Sequence, residues 1–155
     1  MSEARSLIDD LVERFPRLFH GRPPQTWSDL PPGWLGLAVE LFTDLDRLLD
    51  DRSAEQFEVL QIKEKFAGLR IYWRLDAQET NVLDSIGAES TRRVDIEPRR
   101  PTATFDLIKA RINEAAVRAS KTCQVCGAPG GSGQSEGRLQ TLCGACRNAP
   151  REVRC

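Results

Sequence analysis

A chain of 155 residues, 40% hydrophobic and 29% charged, has the size of one ordinary domain or of a domain with a small appended module, and leaves little room for a second full domain. No apolar run approaches the roughly 18 residues needed to cross a membrane, and the opening MSEARSLIDDLVERF carries acids where a signal peptide would have an uninterrupted hydrophobic stretch, so a cytoplasmic protein with no membrane partner is expected. The net charge of -1 conceals a gradient: residues 1–56 hold 11 acids and 6 bases, residues 57–91 hold 6 and 4, and residues 92–155 hold 6 and 12.

Residues 4–19 read as one amphipathic helix, with Leu7, Ile8, Leu11, Val12, Phe15, Leu18 and Phe19 on one side and Asp9, Asp10 and Glu13 opposite. Gly21 and the Pro23-Pro24 pair end it. A second helix is expected from Pro32 to about Asp51, its apolar set Trp34, Leu35, Ala38, Leu41, Phe42, Leu45, Leu48 and Leu49 keeping the 3–4 spacing. From Phe57 to Leu75 the composition turns β-branched and aromatic, and Leu69, Ile71, Trp73 and Leu75 alternate with Arg70, Tyr72 and Arg74. Two strands joined by a turn at Lys65 to Gly68 follow. Residues 76–103 read as a long connection with weak signals for a short helix at Val82 to Ile86 and an edge strand at Val94 to Ile96; the RRVDIEPRRP stretch reads as a solvated loop. A third helix runs from Phe105 to Ser120, with Phe105, Ile108, Ile112, Ala115 and Ala119 on one face, and leads straight into the cysteines.

Those cysteines carry the strongest signal. Cys123-x₂-Cys126 and Cys143-x₂-Cys146, separated by 16 residues, have the spacing of a Cys₄ zinc site, in which two tight turns each aim two thiolates at a common point. Gly127 is placed to turn backbone N–H groups towards the thiolates, PGGSGQSEG reads as a flexible hairpin tip, and Arg138 to Leu142 as the return strand. Two disulfides are the competing reading, disfavoured in the cytoplasm. Four cysteines close the coordination shell, so the single zinc would be structural. Cys155 is left over as a free terminal thiol. The expected class is α+β: amphipathic helices packed on a small antiparallel hairpin in residues 1–121, and a zinc ribbon packed against them in residues 122–155.

Catalytic constellations are missing. His20 is the only histidine and reads as a helix-terminal or surface residue; it is followed by Gly21 and Arg22, and Thr122 precedes Cys123, so the zinc-deaminase signature fails. No glycine loop of the phosphate-binding type follows a strand. The run from Lys63 to Arg70 has two readings, a solvated turn with Phe66 tucked into the core, or an interaction face made by Lys63, Lys65 and Arg70 with Tyr72 or Trp73.

Several pieces fall in an order that resembles a family of small, uncharacterised bacterial and phage proteins: Gly33-Trp34, the stretch Gln61-Ile62-Lys63-Glu64-Lys65-Phe66-Ala67-Gly68-Leu69-Arg70-Ile71-Tyr72, Ala119-Ser120 before Cys123-Gln-Val-Cys126-Gly-Ala-Pro-Gly130, and Thr141-Leu142-Cys143. Similar proteins usually have glycine where this chain has Ala67. The resemblance implies a helical front, a β-hairpin and a zinc ribbon, and no activity. The function expected is that of a non-enzymatic binding protein with a protein partner, of immunity, anti-defence or adaptor type. The alternative is a nucleic-acid-binding regulatory zinc ribbon using Arg99, Arg100, Arg111, Arg118 and Lys121, with Arg92, Arg93, Arg138 and Arg147 beside them.

Overall fold

The computed structural model describes residues 5–75 and 103–149. The fold is α+β, with six helices and two small antiparallel sheets among these residues. The Val82 to Ile86 helix, the Val94 to Ile96 strand and the RRVDIEPRRP loop lie outside them, as does Cys155.

Helix α1 (Leu7–Arg14) starts on a capping box, the Ser6 hydroxyl accepting from the Asp9 N–H while the Asp9 carboxylate accepts from the Ser6 N–H. The single helix expected to reach residue 19 is in fact two. Pro16 has no N–H to continue α1 and opens α2 (Pro16–Phe19) at its first position, with Phe15 between them at φ -124, ψ 61. The apolar stripe runs across the break regardless, burying Leu11, Phe15, Leu18 and Phe19. His20 ends α2 in the left-handed conformation and its Nε2–H donates to the Phe57 carbonyl at 2.7 Å, so it is a helix-terminal residue tied to the sheet.

Pro32–Trp34 forms a 3₁₀ turn leading into α3 (Leu35–Leu48). This helix stops before the expected Asp51 because Leu49 is extended and the Asp50 carboxylate takes the Ser53 N–H at 2.7 Å, which starts the short α4 (Asp51–Gln56). Arg17 closes the junction: its guanidinium donates to the Asp46 and Leu49 carbonyls, which α3 leaves unpaired at its end, and to the Asp46 and Asp51 carboxylates.

Strands β1 (Phe57–Lys65) and β2 (Gly68–Leu75) pair antiparallel from Phe57↔Leu75 to Lys65↔Gly68, with a bulge at Leu60. The bulge is what lets Phe57, Val59 and Ile62 all face inward despite the odd spacing between the last two. Helix α5 (Ala103–Ala119) covers that inner face with Ile108, Ile112, Ala115 and Ala119, and the Phe105 ring packs 4.9 Å from that of Trp73. One continuous core joins α1, α2, α3, the hairpin and α5, with Trp34, Phe42, Phe57, Leu45 and Ile62 at its centre.

The second sheet, β3 (Gly131–Ser135) with β4 (Arg138–Leu142), turns at Glu136-Gly137 and is followed by α6 (Gly144–Asn148). The expected return strand is present. The glycine-rich tract read as a flexible tip is mostly strand β3, held by Arg147, whose guanidinium lies against Gly133 and donates to the Gly131 carbonyl at 3.0 Å and the Gln134 carbonyl at 3.4 Å.

Candidate metal centre and hairpin surface

The two Cys-x₂-Cys turns converge. All four Sγ atoms lie within 4.8 Å of one another, and Cys126 Sγ is 3.6 Å from Cys143 Sγ. A tetrahedron with metal–sulfur bonds of about 2.3 Å needs neighbouring sulfurs about 3.8 Å apart, so the group can hold one metal ion, and its donors are the soft thiolates that suit zinc. None of the four is in a disulfide. Cys123 and Cys143 are buried, Cys126 is exposed.

Backbone donors tune these sulfurs. Burial pushes the Cys123 thiol up, but N–H groups of Cys126, Cys143 and Val125 and the neighbouring Cys126 thiol outweigh it and bring it down to about 6. The Cys146 thiol, crowded by Cys126 and Cys143, is pushed up to about 12. Gly127 takes φ +80, but its own N–H donates to the Cys123 carbonyl at 2.9 Å; the donor it turns towards Cys126 is the Ala128 N–H. Cys143 caps α6, its Sγ accepting from the Cys146 N–H at 3.3 Å. A metal that gathers four thiolates must displace the protons still held at neutral pH, so uptake of zinc by metal-free protein is expected to release protons, above all from Cys146, and to weaken as pH falls. An indicator dye in weak buffer reads this directly; uptake without proton release would contradict it.

The metal turns are joined to the rest of the molecule by backbone contact. The Gly33 N–H donates to the Gln124 carbonyl and Trp34 Nε1–H to the Thr122 carbonyl, both at 2.8 Å. Thr141 on β4, fully buried, donates its hydroxyl to the Ala67 carbonyl at 2.8 Å. That bond reaches the tip of the hairpin, where Phe66 and Ala67 both have positive φ, 52 and 63. The two-residue turn is thus of the type that suits strand twist but favours Asn-Gly, and for residues with a Cβ it costs about 1–2 kcal/mol each. Glycine at this position would take the conformation freely. Here the turn is held by Thr141 from one side and by the Glu64 carboxylate, which accepts the Ala67 N–H at 2.8 Å, from the other. Thr141→Val leaves the Ala67 carbonyl without its partner and is expected to cost about 1–3 kcal/mol, seen as a lower denaturant midpoint with faster amide exchange at residues 65–68; unchanged exchange there would remove Thr141 from this role.

Of the two readings of the turn, the one that tucks Phe66 into the core is overturned. Its side chain is 69% exposed, because the turn sends Ala67 inward against the ribbon and Phe66 outward. Of the expected interaction face, Lys63, Arg70 and Tyr72 share the outer side of the sheet with Lys65, whereas Trp73 points the other way, 6% exposed and packed between Phe57 and Phe105. Neighbours along a strand face opposite sides, so Trp73 could not join Arg70. Sequence reasoning also missed Trp27, 72% exposed, whose carbonyl accepts from the Gln61 side chain at the edge of β1. Its signal was weak, an isolated aromatic in a loop.

Of the bases named for nucleic acid, those among the described residues differ in their partners. Arg118 pairs with Glu40, Arg111 with Glu114, and Arg147 is spent inside the ribbon. Lys121 and Arg138 are exposed, and Arg92, Arg93, Arg99 and Arg100 lie outside the described residues.

Comparison with known proteins decides nothing further. No protein-family model, curated protein or solved structure matches the chain. No described helix is long and apolar enough to cross a membrane.

Proposed function

We propose that this is a non-enzymatic, zinc-containing binding protein that takes a protein partner on the β1–β2 hairpin, in a role of immunity, anti-defence or adaptor type. The observation that carries the reading is the hairpin tip. An aromatic side chain is held out in solvent by a turn that disfavours it, and three cations stand beside it on the outer face. Strained, exposed positions that break local preference mark sites selected for something other than stability, and an exposed aromatic flanked by arginine is the composition of a binding hot spot. The zinc, closed in by four cysteines, does no chemistry of its own. It fixes the turns from which Thr141 holds the tip.

A nucleic-acid role has less support, since two of the bases it would use, Arg111 and Arg118, are paired with Glu114 and Glu40. Affinity capture from the native host with the wild-type protein is expected to recover one stoichiometric protein, lost when Phe66 is replaced by Asn. Recovery of no stoichiometric protein, together with salt-sensitive retention of DNA or RNA in gel shifts, would replace this reading by the alternative.

A further inference from the structure

Several exposed or half-buried arginines are matched to carboxylates among the described residues. Arg17 has Asp46 and Asp51, Arg74 has Glu58, Arg111 has Glu114, and Arg118 has Glu40. Arg70 is set apart by burial. Its Nε is buried and has no hydrogen-bond partner, and among the described residues no carboxylate reaches its guanidinium. The two acids nearest in the hairpin are committed, Glu58 to Arg74 and Glu64 to the Ala67 N–H.

The neighbours of Arg70 sharpen the imbalance. Lys63 stands directly across the strand pair from it, a placement in which like charges repel. Lys65 is opposite Gly68, and the guanidinium lies over that glycine, 3.7 Å from where a Cβ would sit. The two lysines rest on aromatic rings in place of acids, Lys63 Nζ 5.4 Å from the centre of Tyr72 and Lys65 Nζ 5.5 Å from that of Phe66. A buried guanidinium donor without an acceptor is costly to maintain, and three unmatched cations on one half of a small sheet add to that cost.

We infer that this half of the outer face is an anion seat built on Arg70, and that the anion is a carboxylate from an acidic segment of the partner protein, bound beside an apolar recess that receives Phe66. The inference rests on the reading of the hairpin as a protein-binding surface. A carboxylate fits because its two oxygens match the planar fork of a guanidinium. A polynucleotide needs a track of cations along its backbone, and here the seat is short and Arg111 and Arg118 of α5 are already paired.

The Nε–H of Arg70 gives a side-chain signal in ¹⁵N spectra of the whole chain. Titration at low salt with a capped hexaglutamate peptide is expected to shift that signal and slow its exchange. Arg70→Gln should weaken the peptide by about tenfold or more, the loss of a charge-assisted bond pair, and Arg70→Lys should recover only part of it. Lys63→Gln serves as the second variant if Arg70→Gln unfolds. Phe66→Asn should abolish capture of the partner while raising the thermal midpoint, because asparagine tolerates the left-handed turn. Equal peptide binding by wild type and Arg70→Gln overturns the seat. So does tighter binding of a hexanucleotide or of inorganic phosphate than of hexaglutamate. If hexaglutamate behaves as expected and no host protein is captured, the protein-partner reading fails alone; if Arg70→Gln captures the partner as well as wild type does, the seat fails alone.

Discussion

Replacing Cys123 by serine is expected to abolish stoichiometric metal binding and to unfold residues 121–149 while leaving the helical body standing. Cys123 is fully buried and its sulfur receives several N–H donors, so the loss removes both a ligand and the anchor of the first turn. In small peptides a structural zinc contributes on the order of 10 kcal/mol of binding free energy that is also folding free energy. Among the described residues the ribbon's own buried hydrophobic cluster is small: Cys123, Leu142 and Cys143, with Val125, Ala128 and Cys146 against it. The main core draws no residue from the ribbon and should survive. Elemental analysis should therefore find one metal per wild-type chain and none in the variant. Hydrogen exchange should show lost protection from 121 to 149, with α3 and β1 largely retained. A serine variant that keeps its metal and its protection would refute the metal centre.

Gly33→Ala is expected to be as damaging as the loss of a large core side chain, about 3–5 kcal/mol, although it adds only a methyl group. A Cβ at Gly33 would stand 2.0 Å from the Cys123 carbonyl oxygen, 2.7 Å from the Gln124 carbonyl carbon and 2.7 Å from the Gly127 nitrogen. All three are backbone atoms of the first metal turn, so no side chain can rotate away. The ribbon must back off, and both the Gly33 N–H to Gln124 bond and the bond from the fully buried Trp34 to Thr122 go with it. Each buried group left unpaired costs about 1–3 kcal/mol. Gly36→Ala is the matched control. It sits in α3 with nothing within 4 Å of the added methyl, and should be stabilising by about 0.5–1 kcal/mol. Equal denaturant midpoints for the two variants would mean that the contact is not what holds the ribbon.

Much of this architecture was legible in the chain, because its strongest signals are local. The two Cys-x₂-Cys pairs, the 3–4 spacing of Leu41, Phe42 and Leu45, and the alternation from Leu69 to Leu75 each report their own neighbourhood. What could not be read depended on competition or on distant partners. Pro16 splits a helix whose apolar stripe continues unbroken. Asp50 captures Ser53 and starts a new helix where periodicity alone carries α3 onward. Leu60 bulges because Val59 and Ile62 must both face inward. The turn that sends Phe66 outward is held through the Ala67 carbonyl by Thr141, 74 residues beyond Ala67. Gly33-Trp34 stood out as a motif, yet nothing local said that it presses on the metal turn. The unmatched charge of Arg70 became visible only once Glu58 and Glu64 were seen to be taken.

The bonds that fix the ribbon span 88 residues from Trp34 to Thr122 and 74 from Ala67 to Thr141. During synthesis, at about 5–20 residues per second, the hairpin leaves the ribosome many seconds before its clamp exists. Until Thr141 emerges, the Glu64 carboxylate is the one of the two described clamps on Ala67 that can hold the Phe66-Ala67 turn. Formation of the hairpin tip is thereby tied to completion of the two cysteine turns, so chains deprived of metal are expected to form the helical body while the Phe66-Ala67 tip stays loose.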